Sequence, residues 1–549
     1  MKREKIYDGI TGIREDLIEK AEHYKFKGEQ ALKGDPDIIK MDRKSKRSGR
    51  ASWMKWVATA ACLCLVVGTG VFVLRNIGGK TGVGTASEGG GGASGTVFMS
   101  YAGPILPLTS VSDTTGITVE RKIDFDFLPY KRVQAGETDC YGEIATHAHY
   151  ATESIVTDQY VITNSTEEDI TLSAVYGFAG SFSDKNKYVP EIAVDGKTAE
   201  TTLYAGRYSG SFHSAYGIDT DKTDRSNLLE LTRWESYEEL LADGAYLADA
   251  LAEYPILDQK VIVYRLSDLA YNGTDADATN PTINLSFYMD PDKTTIMSWG
   301  STGGRNDMET GNFHRHYDIP TSDWEKERAE DGYLIVLGED VRDLTMQGYK
   351  AGIYEEGKEL EHATANLERY EANLGEVLWE ILIKNREHYE SGMDEADKKI
   401  FSRVSDEMLF GSVAELLYDY GVLSEDVAER YDFGMLEDMR METYHMDRIL
   451  YLTFEVTVPA GGSVTVDASM VKEGSFDFYG EGLDREGYDM MTDVGSAFTF
   501  SGQQASISNT EYIRIVDQNF GFDPENGITE VTLDRSVPHY YLEVEQIEE

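Results

Sequence analysis

From Val57 to Leu74 the chain reads VATAACLCLVVGTGVFVL, 18 residues without a charge. As a helix rising 1.5 Å per residue, about 20 residues cross a hydrocarbon core of about 30 Å. Trp53, Met54 and Trp56 extend the stretch at its N-terminal end. The two tryptophans suit the headgroup boundary, where Lys55 can reach water beside them. Residues 53–74 are therefore expected to form one transmembrane helix. Its flanks set the orientation: Lys40, Arg43, Lys44, Lys46, Arg47 and Arg50 precede it, whereas only Arg75 and Lys80 follow closely. Positive charge is retained on the cytoplasmic side, which places the N-terminus in the cytoplasm. A cleaved signal peptide would carry its apolar core much nearer the start of the chain. A lipobox needs a branched aliphatic residue shortly before Cys62, and Thr59-Ala60-Ala61 supplies none. A buried globular helix is the weaker reading.

The expected span divides the chain by charge. Residues 1–52 hold 14 Lys/Arg against 10 Asp/Glu, while residues 56–549 hold 36 against 88, within a whole-chain net charge of −47. A part that acidic repels phosphate backbones, so no nucleic-acid partner is expected. The plain reading of its surface is solubility. Of three cysteines, Cys62 and Cys64 lie in the apolar stretch and Cys140 stands alone, which excludes a disulfide-stapled domain. With 549 residues, 41% of them hydrophobic, core packing must hold two to four domains. Residues 75–97, containing GGKTGVGTASEGGGGASGTV, read as a flexible linker with a root-mean-square reach of about 25 Å.

In the tail, 1–52, Ile6, Ile10, Ile13, Leu17, Ile18, Ala21 and Tyr24 recur mostly at three and four residues, one apolar stripe on an amphipathic helix. Gly28 and the Gly34-Asp35-Pro36 turn end it. An isolated helix of this length is marginal in water, so the stripe is expected to dock on a partner, a second copy or the membrane surface. The stretch IYDGITGIREDLIEKA, the basic run RKSKRSGR and then WMKWVATAACLCLVV resemble the start of membrane-bound anti-sigma-factor-like proteins of Gram-positive bacteria. The likeness covers about 75 residues and departs from some members in lacking a Cys/His zinc motif, His23 being the one histidine of the tail. It implies a cytoplasmic tail that holds a sigma factor until an outer signal arrives.

Beyond residue 98 the pattern changes to short alternating runs. YVITN (160–164), a polar STEED turn and the alternation of Ile170, Leu172, Ala174 and Tyr176 read as a hairpin. VIVYRL (261–266), INLSFYM (283–289) and GYLIVLG (332–338) read as further strands, with a helix over 237–253. Leu360, Ala363, Leu367, Tyr370, Leu374, Val377, Leu378 and Ile381 step at helical spacing, as do Val413, Leu416, Leu417 and Tyr420. Strands return with YLTFEVTV (451–458) and SVTVDASMV, then ASISN, YIRIVDQ, ITEVTLD and HYYLEVE. The expected fold is a single-pass membrane protein with an α+β ectodomain, mainly antiparallel β-sandwich-like: a β-rich part at 98–350, a helical insertion at 351–449 and a C-terminal β-rich section at 450–549.

Candidate chemistry is sparse. His147/His149 and His314/His316 could each present two imidazoles from one strand face. Adjoining strands, or one pair with Glu143, would suit zinc; chance surface placement is the simpler reading. The run from Asp219 to Glu230 has the length of a calcium loop but carries Asp224 where glycine is required and Ser226 where an apolar residue is expected. Asp275/Asp277 and Asp290/Asp292 read as turn residues. Cys140 lies seven positions from His147, without an identifiable orienting group. Asn164-Ser165-Thr166 matches a glycosylation acceptor. No catalytic, cofactor or metal site is assigned and no enzyme is expected. The expectation is a signalling or sensing protein of anti-sigma type that binds a cytoplasmic sigma factor or other protein through residues 1–52 and an unknown ligand outside. The alternative is a surface-displayed binding or adhesion protein, its 34 tyrosines supplying contact area for glycans or proteins. A membrane-tethered hydrolase comes third.

Overall fold

The computed structural model describes residues 101–128, 132–133, 149–150, 153–184, 186–208, 234–241, 255–275, 278–307, 309–350, 352, 357–390, 400–419, 422–423, 436–476 and 485–547. The tail, the expected span 53–74 and the linker lie outside the described residues. No helix among those described is long and apolar enough to cross a membrane.

The protein is β-rich, built of several largely antiparallel sheets. Alternation of burial explains the first sandwich. In Ile117–Phe127, Ile117, Val119, Ile123, Phe125 and Phe127 are buried and their neighbours are not, as expected of a strand with one face on a core. This strand belongs to a seven-stranded sheet in the order Glu530–Thr532, Phe500–Ser508, Ile117–Phe127, Glu153–Asn164, Ser463–Glu473, Glu191–Val194, Lys197–Thr198. Phe500–Ser508 runs parallel to Ile117–Phe127. Facing it across one large core are two four-stranded half-sheets. One is ordered Thr109–Ser110, Ile170–Gly180, Arg448–Val458, Thr202–Tyr208; the other Ser475–Phe476, Arg485–Met491, His539–Gln546, Ile513–Gln518. Strands from before residue 210 and after residue 447 thus alternate within the same sheets. The strands before residue 210 and those of the 450–549 section share one sandwich rather than building two.

Everything described between Trp234 and His445 is inserted into that sandwich. Helix α1 (Trp234–Leu240) covers the outer face of the half-sheets through Tyr237 and Leu241, which pack with Val175, Ile449, Tyr451 and Met491. The helix expected over 237–253 begins here; from residue 242 its remainder lies outside the described residues. A second sandwich follows. Its four-stranded sheet is ordered Thr294–Trp299, Gly332–Gly338, Lys260–Tyr271, Ala363–Asn373. Its five-stranded sheet is ordered Gly303–Asp307, Asn312–Asp318, Thr282–Tyr288, Arg342–Tyr349, Glu359–Leu360. Short helix α2 (Asp323–Arg328) starts at a capping box between Ser322 and Glu325. Helices α3 (Leu374–Glu390), α4 (Asp406–Asp419) and α5 (Leu436–His445) then pack on the far face of the four-stranded sheet through Val377, Leu378, Ile381, Val413, Leu417 and Met439.

Two expectations require correction. The hairpin expected over 160–176 does not form: Glu153–Asn164 pairs with Ile117–Phe127 and Ser463–Glu473 in the seven-stranded sheet, whereas the turn carries Ile170–Gly180 across the core into the facing half-sheet. Residues 363–373, read from their spacing as the start of the helical insertion, form a strand paired with Lys260–Tyr271. The strand lies in the middle layer: Ala363, Ala365 and Leu367 face the second sandwich's core, and Tyr370 and Ala372 face the helices. Apolar residues of both parities then occur in one strand, and the step from Leu367 to Tyr370 imitates helical spacing. Helix begins only at Leu374.

Candidate functional site

His314 and His316 stand on Asn312–Asp318, where Phe313 and Tyr317 point into the core between the sheets. The histidines therefore share the opposite face of the five-stranded sheet. Their cross-strand partners are Ser286 and Asn284 respectively. Asn284 Nδ2 donates to Ser286 Oγ at 2.7 Å, and Ser286 Oγ lies 2.9 Å from His314 Nδ1. The same ring nitrogen lies 3.3 Å from Asn284 Nδ2, so serine, asparagine and imidazole form one small polar cluster. On the same face Thr282 Oγ1, Asn284 Oδ1 and His316 Nδ1 are buried without a hydrogen-bond partner. Burial lowers the pKa of both imidazoles; Arg305 and Arg315 reinforce the effect on His314. For His316 the neighbouring His314 and Arg315 add to burial and bring it to about 4. Both rings are neutral at pH 7, the form that ligates metals.

Among the described residues no shared zinc site assembles. His149 lies in the two-residue strand His149–Tyr150, which pairs with Arg132–Val133 and not with the five-stranded sheet. His147, Glu143 and Cys140 lie outside the described residues, as do Asp277 and the run 219–230. Among the described residues no group of three His, Cys, Asp or Glu side chains could hold a metal. Asp290 accepts from the Asp292 N–H at 3.1 Å and Asp275 accepts from the Tyr271 hydroxyl at 2.9 Å, both local turn contacts. Asn164 is fully buried: its Oδ1 accepts from Thr166 N–H, and its Nδ2 donates to the carbonyls of Glu168 and Val458. Its amide is committed to the turn that the sequence showed as a glycosylation acceptor.

A second polar centre had no signal in the sequence. Asp489 Oδ2 accepts from the Tyr101 hydroxyl and lies 2.9 Å from His539 Nε2. Trp234 stacks on the His539 ring at 4.4 Å with 4° between the planes, and Tyr541 lies beyond at 6.2 Å. Lys472 Nζ donates to the Ala102 carbonyl at 2.6 Å. Burial lowers the Lys472 pKa to about 8 against the pull of Asp489, Asp184 and Asp447. Carboxylate and imidazole are paired as in a general base, but His539 is buried and stacked on Trp234. The arrangement ties Tyr101 and Ala102 to the sheet. Tyr101 and Asp489 are separated by 388 positions, a distance no motif spans.

A fully buried charge pair joins two strands of the seven-stranded sheet. Arg121 meets Asp158 with Nε–Oδ1 at 2.8 Å and Nη2–Oδ2 at 2.7 Å, and its Nη1 donates to the Met491 carbonyl at 2.7 Å. Tyr160 donates to the same carboxylate at 2.6 Å. Every member is buried, so the pair fixes strand register rather than meeting a ligand.

No protein-family model and no curated protein matches this chain.

Proposed function

We propose that the chain is a single-pass membrane protein whose acidic, β-rich outer part senses or binds a ligand and whose tail, residues 1–52, engages a cytoplasmic regulator of sigma-factor type. The observation that carries the reading is the uncharged run Val57–Leu74, set between a basic flank and a glycine-rich linker. The apolar stripe of Ile6, Ile10, Ile13 and Leu17 supports the tail's part, because a lone amphipathic helix needs a surface to cover. Two sandwiches, one inserted in the other, supply a large outer surface on rigid elements. That architecture suits recognition by surface and loops.

The test is capture from cytoplasmic extract by the membrane-embedded full chain, compared with a variant carrying Ile10→Asp, Ile13→Asp and Leu17→Asp. A sigma factor held by the native chain and lost by the variant is the expected result. Equal capture by both, or capture of no regulator, would reduce the tail to an anchor and leave surface binding as the function.

A further inference from the structure

Residues 101–110 lie between the linker and the first long strand. Ile105 bridges to Phe178 on one side and to Met490 on the other. Its N–H donates to the Asp489 carbonyl at 2.9 Å, and its carbonyl accepts from the Met491 N–H at 2.9 Å. Thr109 and Ser110 continue the pairing along Ile170–Gly180. The segment is an inserted strap that joins the two half-sheets into one surface. Without it, each half-sheet would present an unpaired edge.

Two kinds of contact hold the strap. From Ile105 inward it is held by burial: Ile105, Leu106 and Leu108 are at most 2% exposed. At its outer end it is held by polar hooks. Tyr101 bonds to Asp489, the Ala102 carbonyl accepts from Lys472, and the Ala102 N–H donates to Ser475 Oγ at 3.0 Å. Tyr101 and Ala102 are half-buried where residues 103–108 are fully buried, and the more exposed end of a segment is the first to open locally.

We propose that residues 101–110 are a two-stage latch, in which a pull arriving through the linker first frees Tyr101 and Ala102 and then parts the half-sheets at Ile105. The source of the pull rests on the membrane-anchor reading; the order of release does not. The latch gives an outer event a mechanical route to the single helix, or the reverse.

Hydrogen exchange on the detergent-solubilised full chain reads the order of release directly. The expected result is that the amides of Ala102, Ile105 and Met491 exchange at least tenfold faster than the ladder between Glu153–Asn164 and Ser463–Glu473. Tyr101→Phe with Ser475→Ala, which unhooks the outer end at two residues outside that ladder, accelerates Ile105 and Met491 about tenfold further and leaves that ladder unchanged. Protection of the strap equal to the ladder, or a uniform acceleration of both, would overturn the latch. Because exchange needs no bilayer, a chain that proves not to span a membrane would remove the pull while the order of release is still read.

Discussion

His316 sits where a proton is poorly tolerated. Its ring is buried, His314 and Arg315 are its charged or chargeable neighbours, and its pKa falls to about 4 from an ordinary 6.5. Between those values the unfolded chain binds a proton that the folded chain refuses. The stability contribution is therefore complete above pH 6.5 and is lost as pH falls toward 4, by up to about 3 kcal/mol. Urea midpoints at pH 7 and pH 4.5 should fall further apart for the native chain than for His316→Asn; equal slopes would contradict the assignment. The sequence displayed the His-x-His spacing and, with the strand, the face the rings share. It could not display Ser286, Asn284 and Arg305, because those neighbours come from pairing across strands. Tyr101, Lys472, Asp489 and His539 were invisible for the same reason, each being an ordinary residue until the sheets bring them together.

Among elements, the strands were the most legible. The runs at 160–164, 261–266, 332–338 and 451–458 fall within strands and that at 283–289 passes the end of Thr282–Tyr288 by one residue, because each covers one core with one face or is continuously apolar. The strand Ala363–Asn373 misled because its two faces meet two different cores. The strap went unread: a short stretch with Gly103 and two prolines, Pro104 and Pro107, carries turn signals yet sits inside a sheet. Gly103 adopts φ +73°, and a Cβ there would lie 2.2 Å from Ala179 Cβ. At Gly461, φ is +62° with nothing within 4 Å of the same atom. Gly461→Ala is expected to cost about 1 kcal/mol from the left-handed backbone alone, and Gly103→Ala about 2 kcal/mol or more because the strap must also shift. Thermal unfolding of the two variants checks the order; equal losses would show that Ala179 gives way freely.

At the scale of the molecule, the sequence conveyed the chemistry of each region but not its connectivity. A β-rich fold with helices was readable from period-two runs and from the spacing beyond Leu374. The insertion of one sandwich into another was not, since Arg448–Val458 pairs with Ile170–Gly180 across almost 270 intervening positions. This nesting makes the β-rich part depend on contacts distant in sequence. The whole reading stands on the run Val57–Leu74 acting as a span. The most direct measurement is labelling with a membrane-impermeant maleimide in intact cells, using Cys140→Ser chains that carry either Ser45→Cys or Glu525→Cys. Glu525 is exposed in the turn Pro524–Asn526. The account predicts that the cysteine at 525 is labelled in intact cells, after removal of any wall, and that the one at 45 is labelled only after lysis. Equal labelling of both before lysis, or recovery of the chain in the soluble fraction, would contradict it.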